Sequence, residues 1–303
     1  MIKIFKNKEA YYLVAYIKQP LTLIIILGLL YSGIDMRNGH AQTPVIESHD
    51  QGYINWTTQA VISTGTGIPS EKFHGNPIGR KIAEENALKR AFDNLYLTVL
   101  HVCIDANTHA VDIQKKNKQF QSQIQKITEN ARVLKKEYLS DGTVEITVQM
   151  SMSGGFSQLV LPDDIRYIES IASILSQNQM TWHKEKNYTG LIVDARGLEI
   201  AACLAPIIFS KSGDEVYGPQ YISREYAVQS GTCIYMNSFD GAVKHHRIGN
   251  KPFVVKGIGV SGDQLNNIVI SNTETARFKS LVEHLTILKH CRVIIVVDQS
   301  DWR

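Results

Sequence analysis

Once its first 41 residues are set aside, the sequence has no excess of charge of either sign. The whole chain has 32 basic and 29 acidic residues, and residues 1–41 hold five basic and two acidic ones, so the remainder has 27 of each. Most nucleic-acid affinity comes from basic groups that displace counterions from the phosphate backbone. The balance therefore excludes nucleic acid as a partner, and it argues against simple charge attraction to anionic lipid.

Cysteine is scarce. The chain has four cysteines, none precedes Cys103, and no two are spaced as CxxC. The gap before Cys103 excludes a direct lipid anchor on a cysteine next to the leader. Without CxxC, a thioredoxin-type site and a structural zinc site have no support, and we predict neither a metal nor a cofactor.

The sequence leaves open whether a disulfide forms. Cys103 and Cys291 lie in apolar segments typical of buried thiols, and this interpretation is favoured for the cysteines in general. In an oxidising compartment four cysteines allow two bridges. If one bridge forms, we expect it between Cys203 and Cys233.

The chain also lacks the usual motifs of catalysis, such as GxSxG and HExxH. Residues 257–262 match GxGxxG, but the sequence continues into another strand where a dinucleotide site needs a helix. We predict a glycine-rich hairpin loop there. His245 and His246 are adjacent, have no carboxylate at metal-ligand spacing, and are predicted to lie in a solvated turn near Asp240.

Several charged residues stand at predicted strand ends, where clefts form in α/β sheets. They are Asp194, Arg196, Glu199, Asp214 and Asp298. Because no nucleophile motif is nearby, we favour surface or loop-bracing roles and predict no catalytic residue. The alternative is a hydrolase or ligand-binding cleft lined by Asp194, Arg196 and Asp298.

The first 41 residues have the pattern of a bacterial secretory signal peptide. Lysines precede an apolar run over residues 21–31, and small residues lead to Ala41 before Gln42, where we predict cleavage. The alternative is an uncleaved membrane anchor. The run is shorter than the roughly 20 apolar residues that a span requires and follows Pro20, which favours cleavage.

The next segment, residues 42–160, predicts a small antiparallel sheet covered by helices. Residues 53–62 alternate as one half-buried strand, with Ile54 and Ile62 on the same side. Alanines spaced by four from Ala83 predict a helix that packs closely on the sheet. A second helix is predicted over 113–131, and Asp-Gly at 141–142 predicts a tight hairpin between alternating strands.

A strand ending in Thr64-Gly65-Thr66-Gly67, the helix with Ala83, Ala87, Ala91 and Leu95, and the closing hairpin resemble the LPP-twenty lipoprotein family and the amino-terminal domain of the flagellar accessory protein FlgT. The resemblance covers residues 52–155. It implies a bacterial envelope location, near the outer membrane or the flagellar base, and no catalysis. The chain departs from the lipoprotein pattern because it lacks the acylated cysteine.

Residues 161–187 predict a helical connector, and residues 188–303 predict an α/β domain. Strands are expected at 188–194, 206–209, 215–217, 253–256 and 267–270, with a capped helix from Ser271 and a central strand at 293–298. We therefore expect an α+β protein whose second domain has a mixed sheet. The sequence predicts an exported, non-catalytic assembly or interaction module with envelope protein partners, such as flagellar basal-body components.

Overall fold

A computed structural model of the chain describes residues 43–70, 72, 76–166, 188–281 and 283–298. The leader, with the predicted cleavage pair Ala41 and Gln42, lies outside these residues, as does most of the predicted connector helix. Within them, no helix is both long and apolar enough to cross a membrane. This part of the chain is α+β, with an antiparallel sheet and a mixed sheet in one compact unit.

The first sheet is antiparallel and has the spatial order β1-β2-β3-β7-β6. Its strands are β1 (Ile46–His49), β2 (Gly52–Asn55), β3 (Ala60–Gly67), β6 (Arg132–Tyr138) and β7 (Val144–Ser151). Between β3 and β6 lie helix α1 (Pro77–Leu100), the short hairpin of β4 (Cys103–Asp105) and β5 (Thr108–His109), and helices α2 (Ala110–Lys116) and α3 (Lys118–Glu129).

The predicted close packing of α1 on the sheet is confirmed. Its alanine stripe is fully buried. A Cβ added at Gly65 of β3 would overlap backbone atoms of Ala87 and Ala91, and one at Gly67 would overlap the carbonyl of Ala83. Both glycines are therefore required by the short distance between helix and strand.

The single strand predicted over residues 53–62 is wrong. Residues 56–59 form a turn between β2 and β3, and Gln59 adopts a φ of 52°. Ile54 is opposite Val61 in the register, so it shares a face with Val61 and not with Ile62. The alternation misled because two side chains of the turn, Trp56 and Gln59, are buried and contact the second part of the chain.

The predicted hairpin of β6 and β7 is confirmed, and its turn is as follows. Only Gly142 has a positive φ, 82°, while Asp141 accepts a hydrogen bond from the Thr143 amide at 2.9 Å. The helix predicted over 113–131 is interrupted at Asn117. The Asn117 side chain accepts a hydrogen bond from the Gln119 amide and so caps α3.

The second sheet is mixed and has the order β10-β9-β13-β12-β8-β14-β11. Its strands are β8 (Gly190–Asp194), β9 (Ile208–Ser210), β10 (Glu215–Tyr217), β11 (Ile234–Met236), β12 (Pro252–Ser261), β13 (Asn267–Ile270) and β14 (Val293–Val296). Strands β12, β8, β14 and β11 run parallel. The predicted central position of β14 is confirmed, since β8 and β11 flank it and all four of its residues are buried.

Short helices accompany this sheet: α4 (Gly155–Val160), α5 (Arg224–Ser230), α6 (Phe239–Lys244), α7 (Asn272–Lys279) and α8 (His284–Lys289). Ser271 caps α7 by accepting a hydrogen bond from the Glu274 amide at 3.1 Å. The one helix predicted there is two. Residues 257–261, predicted as loop, extend β12, and β13 follows them, so no helix starts at Gly262.

The two sheets meet at what we call the joint, formed by residues 56–59 of the first part and 231–235 of the second. Thr57 donates a hydrogen bond from Oγ1 to the Tyr235 carbonyl at 2.7 Å, and Gln59 donates from Nε2 to the Cys233 carbonyl at 2.6 Å. The rings of Trp56 and Tyr235 pack edge to face. One hydrophobic core runs through both parts.

We expect Gly65→Ala to destabilise the protein by about 1–3 kcal/mol, because α1 must move away from β3 to admit the methyl group. Gly259→Ala is the matched control, since Gly259 is also in a strand and has nothing within 4 Å of an added Cβ. Its effect should stay within about 0.5 kcal/mol. Urea unfolding followed by circular dichroism measures both. Equal midpoints for the two variants would contradict the close-packing argument.

Candidate functional site

The parallel strands of the second sheet bring three of the predicted residues to one edge. Asp194 ends β8, Arg196 follows in the next loop, and Asp298 lies two residues beyond the end of β14. Because β8 and β14 are adjacent and parallel, their carboxyl ends open on the same side. The structure therefore places Asp194, Arg196 and Asp298 together.

Asp194 and Arg196 form a two-pronged ion pair. Arg196 donates from Nε to Oδ1 at 2.8 Å and from Nη2 to Oδ2 at 2.9 Å, and Lys256 Nζ lies 3.6 Å from Oδ2. The hydrogen bonds from Arg196 hold the pKa of Asp194 below its ordinary value. Asp194 is therefore an anion whose oxygens are engaged, which makes it a brace for the loop.

Asp298 braces the same loop. Its Oδ2 accepts a hydrogen bond from the Gly197 amide at 2.6 Å, and Gly197 has a φ of 83°. Lys256 donates to the Arg196 carbonyl at 2.7 Å, and the Arg196 guanidinium lies over the Phe239 ring. These contacts fix the backbone that leads into the adjacent cavity.

A cavity of about 410 Å³ lies beside this edge. That volume is within the range of small-molecule pockets. Both parts of the chain supply its polar wall, which consists of Glu47, Cys103 and His109 from the first part and Glu199, Gln264 and Asp298 from the second.

Sequence reasoning missed His109 and Gln264 as cavity residues, and it described Cys103 only as a buried apolar residue. Cys103 and His109 face each other across the β4–β5 pair. Gln264 accepts a hydrogen bond from Cys103 Sγ at 3.2 Å, and its Nε2 lies 3.4 Å from His109 Nδ1. The three residues are brought together only by tertiary structure, so no spacing in the sequence could have identified them.

The cavity is suited to hydrogen bonding a small polar molecule. Asp298 is engaged with the loop, and Glu47 accepts from Trp56 Nε1 at 2.9 Å and lies 3.1 Å from His49 Nε2. Glu199 and Asp298 are the exposed charged residues of the wall, and His109 is half-buried. Next to Cys103, the buried amide oxygen of Asn266 has no hydrogen-bond partner among the described residues.

The remaining predicted residues lie away from the cavity. Asp214 closes the β9–β10 turn, and hydrogen bonds from the Ser212 and Ser210 hydroxyls lower its pKa. His245 is not in a solvated turn, because α6 ends just before it and its Nδ1 accepts from the Arg247 amide at 3.2 Å. Cys203 and Cys233, the pair expected for a disulfide, are both buried free thiols in this structure.

One comparison with known proteins concerns the part of the chain that holds the second sheet. Residues 190–299 match the family described as Treponema pallidum Tp0624, second domain. The match covers about a third of the chain and includes the loop braced by Asp194 and Asp298. No curated protein matches the chain.

We expect Arg196→Gln to raise the pKa of Asp194 toward its ordinary value and to lower stability above pH 4. A carboxylate with a depressed pKa stabilises the fold above its ordinary pKa of 3.8, and that contribution disappears as the pH falls below it. The difference in unfolding free energy between the variant and the unmodified protein should therefore shrink as the pH falls from 5 to 2.

Carboxyl titration by NMR and urea unfolding across that pH range measure both effects. The control is Arg277→Gln, which removes an exposed partner of Glu274 at 2.7 Å and should leave Asp194 unchanged. An unchanged Asp194 titration in Arg196→Gln would refute the bracing role.

Proposed function

We propose that the protein is an exported bacterial envelope protein that acts as a non-catalytic assembly or interaction module. Support comes from the predicted signal peptide, the charge balance of the residues after it, and the resemblance of residues 52–155 to the LPP-twenty and FlgT modules. The engaged carboxylates at the strand ends also favour binding over catalysis. The resemblance makes flagellar basal-body components the first partners to test.

The observation that carries the proposal is an exposed apolar surface at the end of the first sheet. We call it the distal surface and define it by Ile68, Ile78, Ile82, Tyr138 and Leu139. These side chains are 65%, 56%, 38%, 50% and 44% exposed. Apolar groups that cluster in solvent are typical of sites where another protein docks.

The members of the distal surface belong to neighbouring elements. Arg80 on α1 lies over the Tyr138 ring, and Glu84, one turn further on, accepts hydrogen bonds from Lys136 and the Tyr138 hydroxyl. Ile78 and Ile82 are also one turn apart, but they lie on another side of the same helix. Strand β3 begins beside the joint and ends at Gly67, just before Ile68. The distal surface is therefore at the opposite end of the sheet from the joint, and the second part of the chain leaves it open.

The neighbouring edge strand favours recognition by side chains over strand addition. Strand β6 is the outer strand on this side of the sheet, and it carries Lys135, Lys136 and Glu137 in sequence. Charged residues on an edge strand oppose pairing with a further strand. The proposed partner surface reaches into the segment between β3 and α1 at Ile68; residues 71 and 73–75 of that segment lie outside the described ranges.

We expect Ile78→Asp to reduce the amount of envelope partner that co-purifies with the protein by about tenfold or more, because it places a charge in an apolar interface. Ile258→Asp is the matched control. Ile258 is 49% exposed but lies on β12 of the second sheet, and this variant should retain the partner. Cross-linking in whole cells, followed by quantitative mass spectrometry, measures the recovery.

A motility assay of the same strains tests the flagellar version of the proposal. Equal partner recovery from Ile78→Asp and Ile258→Asp would rule out the distal surface. Export itself is tested by the amino terminus of the native protein, which should begin at Gln42. A cytosolic protein that retains Met1 would refute the envelope location.

A second candidate function is a periplasmic ligand-binding protein or hydrolase that uses the second sheet. It is favoured by one observation, the cavity of about 410 Å³ beside Asp298 and Glu199. The polar wall of the cavity suits a small polar molecule.

If this candidate holds, native mass spectrometry of protein isolated from its own cells should detect a bound small molecule. Glu199→Gln should reduce its occupancy about tenfold, because the wall loses an anionic acceptor. Glu225→Gln, an exposed position outside the cavity, is the control. Absence of any bound species, or equal occupancy in both variants, would reject the ligand-binding candidate.

A further inference from the structure

Three cysteines lie close together where the two parts of the chain meet. Cys103 is in β4, Cys203 is in the loop before β9, and Cys233 directly precedes β11. The backbone next to Cys203 is hydrogen-bonded to Cys103 itself, whereas toward Cys233 its hydrogen bonds run to the side chains of neighbouring residues. Of the two neighbours of Cys203, Cys103 is therefore the one on a directly paired backbone segment.

The backbone fixes this pairing. Leu204 donates its amide to the Cys103 carbonyl at 3.0 Å, and Ala205 donates to the Ile104 carbonyl at 2.8 Å, so the loop runs alongside β4. The Tyr235 hydroxyl holds the other side of the loop, accepting from the Cys203 amide at 3.1 Å. A disulfide requires neighbouring backbone segments, and Cys103 and Cys203 lie on segments that are hydrogen-bonded to each other.

The same pair is reachable from solvent at one end. Cys103 is 5% exposed and lines the cavity, whereas Cys203 and Cys233 are each about 1% exposed and do not line it. Burial, with Cys103 beside it, raises the pKa of the Cys203 thiol well above its ordinary value. Cys203 is thus a poor first nucleophile, and Cys103 is the thiol that an oxidant meets.

We propose that Cys103 and Cys203 form a disulfide when the protein enters an oxidising compartment, in place of the Cys203–Cys233 pair expected from the sequence. The choice of pair rests on the contacts above. Only the compartment in which the bond forms rests on the proposed export. The bond would join β4 to the loop before β9 and so fix one wall of the cavity.

The reaction requires an external disulfide as oxidant, such as glutathione disulfide or the disulfide of a thiol oxidoreductase. The Cys103 thiolate attacks one sulfur, the oxidant's S–S bond breaks, and one thiol leaves. Cys203 then loses its proton and attacks Cys103 Sγ in the mixed disulfide, which releases the second thiol. The two cysteines lose two electrons and two protons, and the oxidant becomes two thiols.

Trypsin separates the four cysteines, because cleavage after lysine and arginine leaves them in peptides 91–115, 197–211, 225–244 and 290–292. We expect purified protein treated with glutathione disulfide to give one linked species, peptide 91–115 joined to 197–211, which disappears on reduction. A link between 197–211 and 225–244 as the main product, or four free thiols after prolonged oxidation, would overturn the proposal.

Variants provide the controls. Cys233→Ser should still form the Cys103–Cys203 bond, and Cys203→Ser should leave Cys103 unlinked to any other peptide. Oxidation should raise the melting temperature of the unmodified protein by about 5 °C or more and leave that of Cys203→Ser unchanged. An equal shift in both proteins would contradict the assigned pair.

Protein trapped with a thiol-blocking reagent directly in cells separates this proposal from the proposed function. The linked peptide is expected in native protein that begins at Gln42. If purified protein forms the bond but native protein is reduced and cytosolic, the export proposal fails and the assigned pair is upheld. If native protein is exported and Cys103 and Cys203 stay free, the disulfide proposal fails.

Discussion

The arrangement of the two sheets depends on how the open edge of β11 is covered. This strand pairs with β14 on one side only, so its other side presents unpaired backbone groups. Thr57 and Gln59 supply the hydrogen bonds that the Tyr235 and Cys233 carbonyls require. A buried carbonyl without a donor costs about 1–3 kcal/mol, so residues 56–59 must form a turn at this place. The cavity and the pairing of β4 with the loop that carries Cys203 also lie where the two parts of the chain meet.

Sequence patterns predicted the elements whose burial is decided within one part of the chain. Strand β7 alternates because one face lies under α1, and the alanines of α1 meet Gly65 and Gly67 directly. The same reasoning failed at residues 53–62, where Trp56 is buried in a turn and packs against Tyr235 of the second sheet. The alternation of buried and exposed residues over 53–62 arose from burial in two separate environments. Local periodicity identifies a buried side chain without saying which partner buries it.

The candidate site was predictable to the same extent. Asp194, Arg196 and Asp298 could be singled out because parallel strands direct their carboxyl ends to one edge of a sheet. His109 and Gln264 could not, because they belong to different parts of the chain and meet only through the joint. The predictable and the unpredictable residues have different roles in the site. The predictable residues brace the loop, and the unpredictable ones form much of the polar wall.

Helix α1 connects the distal surface to the cysteines. It begins at Pro77, beside Ile78, and ends at Leu100, three residues before Cys103, so it spans about 36 Å at 1.5 Å per residue. A partner bound at the distal surface, as proposed, would therefore apply any load to one end of a helix whose other end leads into β4. Interfaces gain affinity when the binding surface is held in place before the partner arrives. A bond from Cys103 to the second part of the chain would restrain the far end of this helix, so the proposed disulfide and the proposed interaction role support each other physically.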